Sequence, residues 1–140
     1  MEPYPLTMQT GMTRLHGHLF LAPGKLYFVC SKKGGAWAAA IGQSLGGVVG
    51  GAIAAAASKK PGEAPDAIDE ASLEQAVAEN DGSLIMDASR IELIKHTLWM
   101  RMIRFDGKRY GLPNGLDKKL RAELGTWAQT HNVKTKGRFG

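Results

Sequence analysis

The segment from Gly34 to Ala57 constrains the fold more than any other part of the chain. It reads GGAWAAAIGQSLGGVVGGAIAAAA and contains no charged side chain. Small residues recur at every fourth position, namely Ala38, Gly42, Gly46, Gly50 and Ala54. Large apolar residues follow the same period at Trp37, Ile41, Leu45, Val49 and Ile53. Because residues four apart are neighbours on a helix, these rows predict a flat strip beside a bulky ridge.

A helix of this composition needs close packing to be stable. Each interior glycine costs about 1 kcal/mol relative to alanine, whereas a flat strip lets a second backbone approach closely, as in GxxxG helix pairs. We therefore predict a glycine-zipper helix or helical hairpin. Its interface residues are Trp37, Ile41, Gly42, Leu45, Gly46, Val49, Gly50 and Ile53. Three partners are open for this interface: a second copy or another protein, the rest of the same domain, or a membrane surface. We favour the first.

A transmembrane span is not expected, although the segment is about long enough for one. Strand-like sequence lies on both sides of it, and those strands should join one sheet. A single crossing would place them on opposite sides of a membrane, and two crossings would need roughly twice the length.

Strand-like sequence before this segment predicts one hairpin. Residues 14–21 alternate in polarity, and residues 25–31 are rich in aromatic and β-branched side chains. Ala22-Pro23-Gly24-Lys25 between them suits a type II turn. Residues 2–11 contain two prolines, and we expect an irregular arm there, with an edge strand around Leu6-Thr7-Met8.

Further strands and two helices follow the segment. The predicted strands cover 83–86, 91–96, 98–105 and 108–112, with a tight turn at Asp106-Gly107. A weak apolar stripe predicts an acidic helix over 66–80. Leu116, Leu120, Leu124 and Trp127 recur at helical spacing and predict an amphipathic helix over 116–131. The basic tail 133–140 is expected to be mobile.

Three pieces of the chain resemble bacterial PH-like and GRAM-like domains. GHLFLAPGKLYFVC is similar to the opening hairpin of that family, and SLIMDASRIELIKH is similar to one of its strands and turns. RMIRFDGKRYGLP and the helix after it resemble the closing hairpin and helix. The resemblance implies an α+β fold with a bent, barrel-like antiparallel sheet plugged by a C-terminal amphipathic helix. We expect one domain over 1–140, with 34–82 as a helical insertion.

Charge is unevenly distributed along the chain. The net charge is +5, yet seven of the thirteen acids lie between Glu63 and Asp81, which leaves 18 − 6 = +12 elsewhere. The basic remainder could attract phosphates of lipid or nucleic acid. The lysines that flank the apolar segment, Lys32, Lys33, Lys59 and Lys60, are the candidate anion-binding residues.

Few residues suggest other chemistry. Cys30 is the single cysteine, so no intramolecular disulfide can form, and a reducing compartment is expected. His16 and His18 could chelate a metal with His96 or His131, but we expect solvent-facing strand histidines and no metal or other cofactor. The glycines do not form a phosphate-binding P-loop, because no GK[ST] follows them. No set of residues suggests a catalytic site, and nucleic-acid binding is not expected.

These observations predict a non-enzymatic PH-like interaction module that self-associates or binds a protein through the glycine zipper. The alternative is a peripheral module that binds anionic membranes through the apolar segment and its flanking lysines. A cytoplasmic location is expected because the N-terminal sequence has no signal-peptide pattern.

Overall fold

The computed structural model describes residues 3–33 and 69–139 of the chain. Within these ranges, eight β-strands form one sheet, and two α-helices pack against it. The strands are β1 (Tyr4–Thr10), β2 (Thr13–Ala22), β3 (Lys25–Lys33), β4 (Leu84–Asp87), β5 (Ile91–His96), β6 (Arg101–Phe105), β7 (Lys108–Gly111) and β8 (Thr135–Gly137). The helices are α1 (Glu70–Glu79) and α2 (Lys118–Thr130), and a 3-10 turn covers Ala88–Arg90. The α+β class is therefore confirmed.

The sheet is not closed into a barrel, which corrects the barrel-like expectation. Its strand order is β4-β3-β2-β1-β7-β6-β5-β8, so β4 and β8 are the outer strands of the described sheet. The β1–β4 and β5–β7 meanders are joined through β1 and β7, where Gln9 pairs with Gly111. Closure would require β4 to pair with β5. The second edge of β5 is instead taken by β8, which runs parallel to it.

The N-terminal arm is a strand inside the sheet, so the expectation of an edge strand is wrong. β1 pairs with β2 from Tyr4↔Leu19 to Thr10↔Thr13 and contacts β7 on its other side. Tyr4, Leu6 and Met8 alternate along it and are all buried in the main core. Their burial explains why the arm is extended despite its prolines.

The C-terminal tail also forms a strand, although we expected it to be mobile. β8 pairs with β5 over Ile94↔Thr135 to His96↔Gly137. Gly137 has φ +105, and a Cβ there would overlap the carbonyl oxygen of His96. The pairing therefore depends on a glycine at this position, because only glycine allows both the backbone angle and the close approach.

Helix α2 packs on one face of the sheet. Its buried residues, Leu120, Leu124, Trp127 and Ala128, join the main core. The Trp127 indole N–H donates to the carbonyl oxygen of Ala22 at 2.7 Å, and the Gly24 N–H donates to His131 Nε2 at 3.2 Å. These two bonds attach the β2–β3 turn to the end of the helix.

Helix α1 packs on the opposite face of β2 and β3. Leu73 and Ala76 are buried against Phe20, Tyr27 and Val29 in a second apolar cluster. The helix lies within the predicted range 66–80 and begins after Asp69, whose carboxylate accepts from the Ser72 N–H at 2.8 Å. Neither α1 nor α2 is long and apolar enough to cross a membrane, and no other α-helix lies in the described ranges.

Candidate functional site

The β5–β6 hairpin ends in three large apolar residues, Leu98, Trp99 and Met100, which we call the apolar tip. Trp99 is 91% exposed, Leu98 is 75% exposed and Met100 is 38% exposed. Thr97 orders the turn, because its N–H donates to the Met100 carbonyl at 2.9 Å and its hydroxyl oxygen accepts from the Met100 N–H at 3.0 Å. Strand β6 is shorter than the predicted strand 98–105, because it begins only at Arg101. The apolar tip is thus displayed on a hydrogen-bonded turn.

Cationic residues border the apolar tip on the β8 side. The parallel register places Lys95 of β5 beside Lys136 of β8. One residue after β8, the Arg138 N–H donates to the carbonyl oxygen of His96 at 3.0 Å. We call Lys95, Lys136 and Arg138 the basic rim. Neither 95–101 nor 133–139 contains an Asp or Glu. No acid within these two ranges balances the positive charges of the basic rim, so the rim favours an external anion.

A second set of basic residues comes from the β5–β6 hairpin and from α2. His96 and Arg101 are register partners that share a sheet face with Ile94 and Ile103, which pack in the α2 core. Arg121 belongs to α2 itself. We call His96, Arg101 and Arg121 the cationic cluster. The atoms His96 Nε2, Arg101 Nε and Arg121 Nε are buried, and none of them has a hydrogen-bond partner within 3–33 and 69–139.

Burial and two neighbouring charges both affect the titration of His96. Burial lowers the pKa of His96, and the charges of Arg101 and Arg121 lower that pKa further. The Phe139 ring lies against His96, with ring centroids 5.9 Å apart and planes tilted by 51°. His96 is therefore expected to be neutral at pH 7 and partly shielded from water.

The sequence-predicted interface cannot be compared with this site. Trp37, Ile41, Gly42, Leu45, Gly46, Val49, Gly50 and Ile53 lie outside the described residues, as do Lys59 and Lys60. Lys32 and Lys33 belong to the end of β3, opposite His16 and Leu15. The self-association interface therefore stays a prediction.

The histidines do not behave as expected. His16 and His18 are buried, so the prediction of solvent-facing strand histidines is wrong. Thr7 Oγ1 lies 3.0 Å from His16 Nδ1, and burial lowers the pKa of His18 to about 4. Over 3–33 and 69–139, no three His, Cys, Asp or Glu side chains come together in an arrangement that could hold a metal ion.

Sequence reasoning missed the apolar tip and did not group the cationic cluster. Leu98, Trp99 and Met100 are three consecutive large apolar residues between Lys95 and Arg101. A half-buried strand alternates instead, so this run was the available signal. Comparison with protein-family models, curated proteins and solved structures finds no match for the chain. The function must therefore be argued from the geometry of this site.

Proposed function

We propose that this chain is a non-enzymatic domain that docks on anionic membrane surfaces through the apolar tip and the basic rim. The exposure of Trp99 on an ordered turn carries the proposal, because 91% of this residue is accessible. Tryptophan partitions favourably into the boundary between headgroups and acyl chains. An exposed apolar group next to cations is the chemical complement of an anionic bilayer surface.

The two parts of this surface would act together. Leu98 and Trp99 would enter the boundary region of the bilayer, where apolar burial favours binding. Lys95 and Lys136 would remain at the level of the phosphates, where each cation contributes about 1 kcal/mol. Neither contribution alone gives stable attachment, since one signal generally gives only marginal, reversible binding and stable anchoring needs two.

We also propose that the fold is related to PH-like domains. Two antiparallel meanders, β1–β4 and β5–β7, are joined through β1 and followed by α2 on the inner face. This arrangement supports the sequence resemblance. The proposed membrane contact rests on the residues of the apolar tip and the basic rim, and not on that relationship.

Vesicle sedimentation tests the proposal. We expect the chain to bind phosphatidylcholine vesicles that contain phosphatidylserine and to bind pure phosphatidylcholine vesicles weakly. Binding to the anionic vesicles should fall as salt rises, because the screening length drops from about 10 Å at 0.1 M to about 3 Å at 1 M. Equal affinity for both kinds of vesicle would contradict the proposal.

Two double charge variants test whether the basic rim makes the contact with the membrane. Lys95→Gln combined with Lys136→Gln should weaken binding by about 2 kcal/mol, or roughly 30-fold. The control combines Lys108→Gln with Arg109→Gln, two exposed cations of β7 next to the Asp106-Gly107 turn. Equal losses in the two double variants would show that general charge, rather than the basic rim, governs binding.

A further inference from the structure

Strand β8 presents an open backbone edge. All three of its residues, Thr135, Lys136 and Gly137, are exposed. The strand pairs with β5 on one side, and no strand of the described sheet lies on its other side. An open edge of this kind is a template to which a further extended segment can pair.

A hydrogen bond to β5 fixes the direction of the first outward group. The Ile94 N–H donates to the carbonyl oxygen of Lys134 at 2.9 Å, so this carbonyl points toward β5. In a planar trans peptide, the C=O and the N–H point in opposite directions. The N–H of Thr135, which shares that peptide unit, therefore points away from β5.

The same reasoning applies at the other end of β8. The Arg138 N–H donates to the carbonyl oxygen of His96 at 3.0 Å, so the Gly137 C=O of the same peptide unit points away from β5. Neither the Thr135 N–H nor the Gly137 C=O has a hydrogen-bond partner within 3–33 and 69–139. The outer edge of β8 thus offers one accessible donor and one accessible acceptor.

A groove of about 390 Å³ separates this edge from helix α2. Ala122, Gly125 and Gln129 of α2 form one wall, and Thr135 and the Phe139 ring contribute to the other. None of the lining residues is charged. The groove therefore suits the uncharged side chains of an extended segment that lies along β8.

The opposite face of β8 is positively charged. Side chains alternate along a strand, so Lys134 and Lys136 lie on the face opposite to Thr135. Both lysines are exposed, and 133–139 contains no Asp or Glu. Opposite charges on neighbouring strands contribute roughly 0.2–1 kcal/mol per pair. An added strand is therefore favoured when its side chains on this face are acidic.

We propose that the outer edge of β8 binds an extended acidic peptide segment of a partner protein, which joins the sheet as a further strand. The Thr135 N–H and the Gly137 C=O would bond to the peptide backbone. Alternate peptide side chains would enter the groove beside α2, and the others would face Lys134 and Lys136. This binding mode does not depend on the proposed membrane contact, because the backbone edge and the groove carry it.

The experiment uses the full chain without vesicles. The probe is a capped peptide of alternating glutamate and valine, and the control peptide has lysine in place of glutamate. Binding is followed by NMR together with amide hydrogen exchange. We expect saturable binding of the acidic peptide only. The Thr135 amide should then exchange about tenfold more slowly, as a new hydrogen bond of about 1.4 kcal/mol implies, whereas the Arg138 amide, already bonded to His96, should change little.

Two variants at one position separate backbone pairing from charge. Thr135→Pro removes the outward N–H without changing the charge, and it should weaken peptide binding about tenfold. Thr135→Val keeps the N–H and the strand preference, so it should bind like the unmodified chain. Ala122→Trp narrows the groove from an exposed position of α2. It should also weaken binding, and it is the second test if Thr135→Pro disrupts β8 itself.

The inference is overturned if the acidic peptide does not bind saturably, or if the lysine peptide binds equally well. It is also overturned if the Thr135 amide exchanges at the same rate with and without peptide, or if folded Thr135→Pro and Thr135→Val bind alike. Vesicle binding is measured in a separate assay, so its absence would refute the membrane proposal and leave the peptide result unaffected.

Discussion

Replacement of Trp99 by alanine should remove a large part of the membrane affinity without affecting the fold. A tryptophan side chain offers roughly 200 Å² of surface, and Trp99 is 91% exposed. If about half of that area enters the bilayer boundary, the gain at about 25 cal/mol per Å² is about 2 kcal/mol. The variant should therefore bind anionic vesicles roughly 30-fold more weakly. Its thermal stability should be unchanged, because Trp99 is outside the apolar clusters of the described residues.

The assay is vesicle sedimentation over a range of lipid concentrations at fixed salt, which gives the partition coefficient directly. Met12→Ala is the matched control. Met12 is fully exposed, but it lies in the β1–β2 turn instead of the β5–β6 turn. The reasoning would be refuted if Trp99→Ala bound as tightly as the unmodified chain, or if both variants lost the same affinity.

Two further predictions concern the folded domain. Gly17→Ala should lower the thermal midpoint by roughly 3–10 °C, because a Cβ there would lie 2.9 Å from Cys30 Cα and overpacking costs about 1–3 kcal/mol. Gly115→Ala, whose Cβ would meet nothing within 4 Å, is the control, and equal midpoints would contradict the packing argument. Denaturant unfolding should show stability falling by about 3 kcal/mol as pH drops from about 6.5 to 4, because the pKa of His18 is lowered to about 4 in the folded chain and the unfolded chain binds its proton first. His18→Gln should lose this slope, and an unchanged slope would show that another group causes it.

The local parts of the fold could be predicted from the sequence. Turn chemistry identified the β2–β3 and β6–β7 hairpins, and the structure has positive φ angles at Gly24, Asp106 and Gly107, as such turns require. The spacing of apolar residues also identified α2. Turn chemistry and helical spacing are both local signals, because each is contained within a short stretch of sequence.

Pairing between distant parts of the chain could not be predicted in this way. β8 has three residues and pairs with β5 through the close backbone approach at Gly137. Nothing in its own sequence identifies that partner. The prolines of β1 favour an edge position, yet Pro5 is accommodated in the register opposite His18. Both outcomes depend on tertiary contacts rather than on local preference.

The candidate site was predictable only in part. Residues 98–105 are mostly apolar, so the predicted strand includes the apolar tip, whereas the hairpin turns before Arg101. The cationic cluster is assembled by the β5–β6 register and by the packing of α2, which bring together residues separated in sequence. The glycine zipper and two of the four predicted anion-binding lysines, Lys59 and Lys60, lie in 34–68, outside the described residues. The membrane proposal therefore depends on the apolar tip and the basic rim.

The most direct test of membrane docking uses a paramagnetic label in the lipid phase. Backbone amide signals of the isotope-labelled chain would be recorded with anionic vesicles that carry a spin label on the acyl chains. We predict that broadening centres on Leu98, Trp99 and Met100 and decreases along β5 and β6. Broadening confined to residues 34–57, or no broadening anywhere, would contradict docking through the apolar tip.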